Sequence, residues 1–345
     1  MATPLPSLSP AESSYIAASL AHPAEPTRND GRALFASRPI QVSYNVFPHA
    51  NGSARITLGG TEVVAGVRLE VVDATGEQIK GQEVWKTKVT VDITPQAFPN
   101  TSSSIINNLS THFQALLTSH FAPSLPALPI LPNKKYFQPH LHLTLLSSAG
   151  NVPTALSIAA RAAFSGLRVP KTKVISWVGE PGEEEGAEVA KGDMSGIKAA
   201  IAGSKTKGKG KLVVKGNEDW DLDMEDGDGV AYLEGREQLP VLVALNIASL
   251  SYLFFSHLAD TLQVPNSANI FLDATAQEEA ACPTRILLFF KPTSPDSSSA
   301  PNLCGMRLEG PHGLDQSRVR GLLEQGASVA EELVKELNRS IPTSD

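Results

Sequence analysis

Residues 37–73 constrain the fold more than any other stretch. Ile40, Val42, Tyr44 and Val46 alternate with Gln41, Ser43 and Asn45, the period-two pattern of a strand with one buried face. Asn51-Gly52 predicts a hairpin turn, because both residues tolerate the positive φ such turns need. Residues 54–58 continue as strand and stop at Gly59-Gly60, a second turn signal. A third run, 61–72, sets Val63, Ala65, Val67, Leu69 and Val71 on one face. The three runs predict an antiparallel meander, and the rest of the chain must cover its apolar side.

The flanking sequence supplies that cover. Ser9-Pro10-Ala11-Glu12 combines an N-cap, a proline at the first helical position and a capping-box glutamate, predicting a helix that runs to Leu20. Pro23 and Pro26 then mark an extended link. Residues 84–93 alternate as a fourth strand, and Ile105, Leu109, Phe113, Leu116 and Leu117 follow at helical spacing. Residues 122–133 contain four prolines and form a connector; 136–146 return to strand. Residues 154–167 predict a helix faced with Ala155, Ile158, Ala159, Ala162 and Ala163, small enough to sit close on a sheet. Further strands are expected at 239–245, 269–275 and 285–291, and a closing helix at 315–337. Gly326 inside that helix is a weak point, costing about 1 kcal/mol relative to Ala.

Composition limits the function classes. With 345 residues, 41% hydrophobic and 19% charged, the chain suits a globular protein larger than one average domain. The formal net charge is −7; residues 180–229 hold 13 Asp+Glu and 7 Lys, which is −6, leaving −1 for the remainder. Residues 179–231 carry too little apolar surface to offset ordering entropy, so an exposed, disordered, acidic and Lys-rich insertion is expected there. An acidic chain does not coat nucleic acid generally, although a local basic channel is compatible with it. Two cysteines, Cys282 and Cys304, make neither a disulfide framework nor a zinc site, and no signal-peptide pattern is present. Reduced thiols inside a cell are the expectation. Residues 239–255 are uncharged but shorter than the ~20 residues a spanning helix needs, so no membrane association is expected.

Particular residues carry a resemblance. Asp30-Gly31-Arg32, Arg38-Pro39-Ile40, Gly52-Ser53-Ala54, Gly59-x-Thr61 and Val67-x-x-Glu70 follow one another in an order that resembles the opening of the RNase PH family. Those proteins are phosphate-dependent exoribonucleases and their inert relatives in the RNA exosome ring. Asp273-x-Thr275 ahead of Glu278-Glu279 resembles the family's second-half signature. The resemblance implies an α+β, RNase PH-like (ribosomal protein S5 domain 2-like) fold, two βα halves with mixed and antiparallel sheets covered by helices. It divides the chain into an N-terminal helix and link (1–36), a first half (37–178), the insertion (179–231) and a second half (232–345). Within the second half, 248–268 is an apolar insertion foreign to the family pattern.

Phosphorolysis needs arginines to grip phosphate and a carboxylate to assist at the scissile bond. By the resemblance, active relatives place arginines after the fourth strand and before the strand at 136–146, and an Asp before the Leu-Pro that opens the second half. This chain has no arginine between Arg68 and Arg161, Lys134-Lys135 at the later arginine position, and Gln238 before Leu239-Pro240. No catalytic residue is therefore assigned, and no cofactor or metal is expected. Lys134 and Lys135 are the candidates for an RNA path, with a solvated basic pair as the plain alternative. His140-x-His142 shares a strand face but lacks a third ligand. Ser147-Ser148-Ala149-Gly150 lacks a nucleophile-elbow pattern, and no P-loop or dinucleotide fingerprint is present.

With Glu12-x-x-Tyr15 in the N-terminal helix and the acidic insertion, the chain resembles an inert ring subunit. The resemblance implies a hetero-hexameric ring with other RNase PH-like exosome subunits, S1/KH cap subunits, an associated hydrolytic exoribonuclease, and RNA threading through. It also implies residence in nucleus, nucleolus and cytoplasm. The rival readings are an active phosphate-dependent 3′–5′ exoribonuclease and a free-standing acidic scaffold.

Overall fold

The computed structural model describes residues 5–73, 86–131, 134–176, 218–223, 229–248, 269–293 and 300–342. Two units divide the chain: residues 1–170 with 230–345, and residues 171–229. In the second unit, β8 (Thr172–Ser176) pairs antiparallel with β9 (Glu218–Leu222). Residues 179–217 and 224–228 of the expected insertion lie outside the described residues, as do 249–268 of the apolar segment.

The larger unit begins with α1 (Pro10–Leu20), whose Ser9–Glu12 capping box forms as expected. The meander follows as β1 (Ile40–Tyr44), β2 (Gly52–Leu58) and β3 (Thr61–Asp73), each antiparallel to the next. Then come β4 (Lys88–Ile93), α2 (Ser103–His120), β5 (Leu128–Leu131), β6 (Lys135–Ser147) and α3 (Val152–Ser165). Sheet order is β1-β2-β3-β6-β4, with β5 also on β6. β6 runs antiparallel to β3 and parallel to β4, making the sheet mixed. Alternation governs β4, where Val89, Val91 and Ile93 are buried and Lys88, Thr90 and Asp92 exposed. The far end of β3 outruns its cover, leaving Val71 45% exposed.

The second half joins through β7 (Arg168–Pro170), which pairs with β10 (Val230–Tyr232). Its sheet is fully antiparallel, in the order β12-β11-β13-β14, from β11 (Val241–Ala248), β12 (Asn269–Leu272), β13 (Arg285–Lys291) and β14 (Asn302–Glu309). A short α4 (Ala276–Ala281) follows β12, and α5 (Gln316–Arg339) closes the fold. Every residue of β11 is buried, as its unbroken apolar run demands. All 14 residues of α3 are buried too, because the helix lies on β2 and β3 and also against β11. Alanine on most of its faces allows that double contact. One core thus spans both sheets, and a smaller one holds Ile16, Ala17 and Leu20 against Phe271, Ala274, Ala281 and Cys282.

Three local expectations change. Asn51-Gly52 is not the turn: positive φ falls at Asn45 (57°), and Gly52 already belongs to β2. A side chain at Gly52 would run into the backbone of α3, meeting Ala163 O and, at 2.8 Å, Leu167 Cα. The glycine serves close approach of helix and sheet. Helix α3 starts earlier than residue 154, with Pro153 in its first turn. Strand β14 went unforeseen, since Cys304-Gly305 interrupts its apolar alternation and a register shift against β13 accommodates the pair. Gly326 also finds its reason: a Cβ there would lie 2.5 Å from Leu288 Cδ1 in the core.

These contacts separate two kinds of glycine. Gly52→Ala must push backbone apart and is expected to cost about 3 kcal/mol. Gly321→Ala, on α5 with nothing within 4 Å, is expected to stabilise by about 0.5–1 kcal/mol. Urea unfolding midpoints of the two variants would check the opposite signs.

Candidate functional site: carboxylates and arginines where the halves meet

The turn from β6 into α3 is built on left-handed residues, Gly150 (φ 97°) and Asn151 (φ 54°). A Cβ on Gly150 would lie 2.5 Å from Ala274 O, so this turn rests directly on the segment after β12. Asp273 there is itself left-handed (φ 47°), a conformation aspartate tolerates better than most residues. Its carboxylate accepts five hydrogen bonds from three residues. Oδ1 takes Arg38 Nη2 (2.7 Å) and Asn151 Nδ2 (2.9 Å); Oδ2 takes Arg38 N (2.7 Å), Arg38 Nε (2.9 Å) and Arg32 Nη1 (3.0 Å). Burial alone would raise its pKa, but the hydrogen bonds and charge of Arg38, with Asn151, outweigh burial and lower it.

Two glutamates extend the cluster. Glu278 closes a capping box with Thr275 at the start of α4 and also receives Arg28 on both oxygens, at 2.9 and 2.6 Å. The same guanidinium donates to Leu272 O and Asp273 O, both at 2.9 Å, so Arg28 staples the N-terminal link to the end of β12. Glu279 Oε1 accepts from Asn151 N (2.8 Å) and Arg285 Nη1 (2.9 Å). Its pKa moves the other way, raised by complete burial against the opposing pull of Arg285 and Asn151. Arg285 continues to Glu309 Oε2 at 2.9 Å, and Glu309 Oε1 lies 2.9 Å from His112 Nε2 on α2. Burial works against the Glu309 charge, but His112 and Arg285 prevail and hold its pKa at about 2.

A cleft of about 220 Å³ opens beside this cluster, lined by Leu5, Pro6, Phe98, Thr101, Ser148, Gly150 and Glu279, among others. Glu279 is its one ionisable lining residue among the described residues, and no arginine or lysine lines it. The arrangement is poorly suited to phosphate, which needs facing cations. It is equally poorly suited to a divalent ion, because Glu279 Oε1 is already committed to Arg285 and no second carboxylate lines the cleft among the described residues. Among the described residues no group of three or more His, Cys, Asp or Glu is placed to hold a metal. Cys282, with its thiol pushed up to about 12 by burial, is not a nucleophile.

The residues singled out from sequence fall elsewhere. Lys135 opens β6 and lies 3.5 Å from Asp73, while Lys134 sits in the turn before it. They begin the 13-residue strand whose other end leads to Asn151, so roughly 40 Å of strand separates them from the cluster. Gln238 ends a 3-10 turn (Arg236–Gln238) beside the C-terminal part of α3, whereas the carboxylates gather at its N-terminus. His140 and His142 do share a face of β6, where they meet Glu70 (3.3 Å) and Asp92 (2.7 Å) separately. Asp273, Glu278 and Glu279 were visible as a signature, and Arg32 and Arg38 as motif members. Their pairing was not, because about 240 residues separate the partners.

The fold and this junction define a class. Two sheets with a shared buried helix make an RNase PH-like fold, and residues 36–170 match the RNase PH model, "3′ exoribonuclease family, domain 1". Those residues are similar to that domain. In sequence it is similar to "Exosome complex component rrp42" of Schizosaccharomyces pombe, 34% identical over 172 residues, covering 48% of this chain and 54% of the relative. "Exosome complex component Rrp42" of Thermoplasma acidophilum is 33% identical over 150 residues, covering 42% and 56%. The chain thus spans about half the length of the curated relatives it matches. Among solved structures, an archaeal exosome core aligns over 95% of this chain and 96% of its own, with TM-score 0.54 and 18% identity. A chain of the Archaeoglobus fulgidus exosome with RNA bound to the active site aligns over 94% and 97%, with TM-score 0.55 and 18% identity. At that identity they establish the fold.

The Glu309 site sets an acid limb. Its folded pKa lies below the ordinary 4.5, so its contribution is full above pH 4.5 and is lost as pH falls toward 2. Glu309→Gln is expected to lose about 3 kcal/mol at pH 7 and to unfold with a shallower pH dependence between 4.5 and 2. Parallel stability–pH curves for variant and parent would remove Glu309 from the acid limb.

Proposed function

We propose that this chain is a non-catalytic structural subunit of an RNA exosome ring, supporting 3′-to-5′ RNA processing and degradation. One observation carries the reading: each carboxylate at the half–half junction is committed to an arginine, and the neighbouring cleft offers phosphate no cation. The names of the sequence relatives supply the assembly. An open edge agrees with it: β14 ends its sheet with Leu303, Met306 and Leu308 each more than 40% exposed, a surface a neighbouring subunit would cover. Other RNase PH-like subunits are the ring partners in this proposal, with S1/KH caps and a hydrolytic exoribonuclease attached, in nucleus, nucleolus and cytoplasm.

The isolated chain, incubated with labelled single-stranded RNA, inorganic phosphate and Mg²⁺, is expected to release no nucleoside diphosphate. Release that persists through further purification would establish a phosphorolytic enzyme instead.

Lys134 and Lys135 are proposed to face RNA within the assembled ring. Lys134→Glu with Lys135→Glu is expected to leave the complex intact while weakening RNA protection. Each lost phosphate contact should flatten the salt dependence by about 0.7 log units per decade. An intact mutant complex with the parental affinity and salt slope would take both residues off the RNA path.

A further inference from the structure

The C-terminal half of α3 holds a second charged group that the proposed role does not use. Arg161 is only 2% exposed, in a helix otherwise lined with alanine and leucine. Its Nη2 donates to Glu237 O (2.8 Å) and Asn338 Oδ1 (2.7 Å), tying α3 to the Arg236–Gln238 turn and the end of α5. Among the described residues its Nε and Nη1 have no acceptor, and neither has Nη1 of Arg236, although all three atoms are shut off from solvent. Arg236 is held in place by stacking 4.3 Å from the centroid of Tyr232, with Arg168 5.9 Å from the same ring. Tyr44, whose hydroxyl lies 3.3 Å from Ser340 Oγ, feels the charge of both Arg161 and Arg236. Glu237 also acts electrostatically on Arg161, but its side chain is exposed and the atom it gives is its carbonyl.

Nη2 is satisfied by the Glu237 main-chain carbonyl and the Asn338 side-chain oxygen. Among the described residues the remaining donors have no acceptor. Arginine does not shed its proton to escape burial, and a buried cation requires a matching acceptor. Unpaired donors from two fixed guanidinium groups suit an anion with several oxygens. Their enclosure excludes a polymer.

We propose that Arg161 and Arg236 form a binding site for a small oxyanion of the phosphate or sulfate class. It lies where the C-terminal ends of α3 and α5 meet the Arg236–Gln238 turn, at the opposite end of α3 from the carboxylate cluster.

The test uses the full chain and inorganic phosphate as probe, with potassium chloride of equal ionic strength as reference. Thermal unfolding of the parent should show a rise in midpoint that saturates with phosphate, and sulfate should compete. Arg161→Leu should lose the saturable rise. Should Arg161→Leu fail to fold, Arg236→Gln serves, with phosphate affinity weakened about tenfold, the loss expected of one charge-assisted hydrogen bond. A midpoint rise that never saturates, or that is identical in parent and variants, would be the general effect of an excluded salt and would overturn the site. Displacement of phosphate by single-stranded RNA would overturn the assignment to a small ion. None of these readouts depends on ring assembly or on phosphorolysis, so the proposed subunit role stands or falls separately.

Discussion

The fold depends on one carboxylate. Asp273 gathers the Arg32 and Arg38 side chains, the Arg38 main chain and the Asn151 amide, and so ties the N-terminal link, the start of α3 and the end of β12 to one point. A buried pair of this kind adds little if both partners are exchanged for apolar groups, but losing one partner alone costs about 3–5 kcal/mol. With five donors converging on it, Asp273 stays ionised at depth. Glu279, with an amide and one arginine, is pushed toward its neutral form by the same burial.

This geometry has a chemical cost for a nuclease. A carboxylate that is to position a metal or move a proton needs free lone pairs and access to solvent or substrate. Here the carboxylates act as fasteners. Arg28 on Glu278 illustrates it: one side chain caps α4, receives a guanidinium on both oxygens, and leaves that guanidinium free to bind two carbonyls of the strand end.

Much of the fold was legible because its signals are local. Strand alternation in β4, the capping box of α1 and the unbroken apolar run of β11 each depend on residues within a few positions. Errors arose where a local sign had a distant cause. Asn51-Gly52 reads as a turn, yet Gly52 is required by the backbone of a helix more than 100 residues later. Gly326 reads as a helix defect, yet Leu288 and Phe290 occupy the space its side chain would take. The candidate site was half legible: its acids stood out as a motif, and its arginines as another. Nothing local said that they meet, and Arg161 gave no signal beyond being a charge in an alanine-rich helix.

The span between Asp273 and its arginines has a kinetic meaning. Sheet pairings of the first half close mostly over short and medium separations, whereas Arg38 must wait 235 residues for its carboxylate. Contacts that close so large a loop come late and slow the overall reaction. On a ribosome, the meander and α3 would be complete well before residue 273 emerges, with three arginines meanwhile lacking their second-half carboxylates. A nascent chain stalled short of the acidic segment would present a cationic strap beside a first sheet already paired.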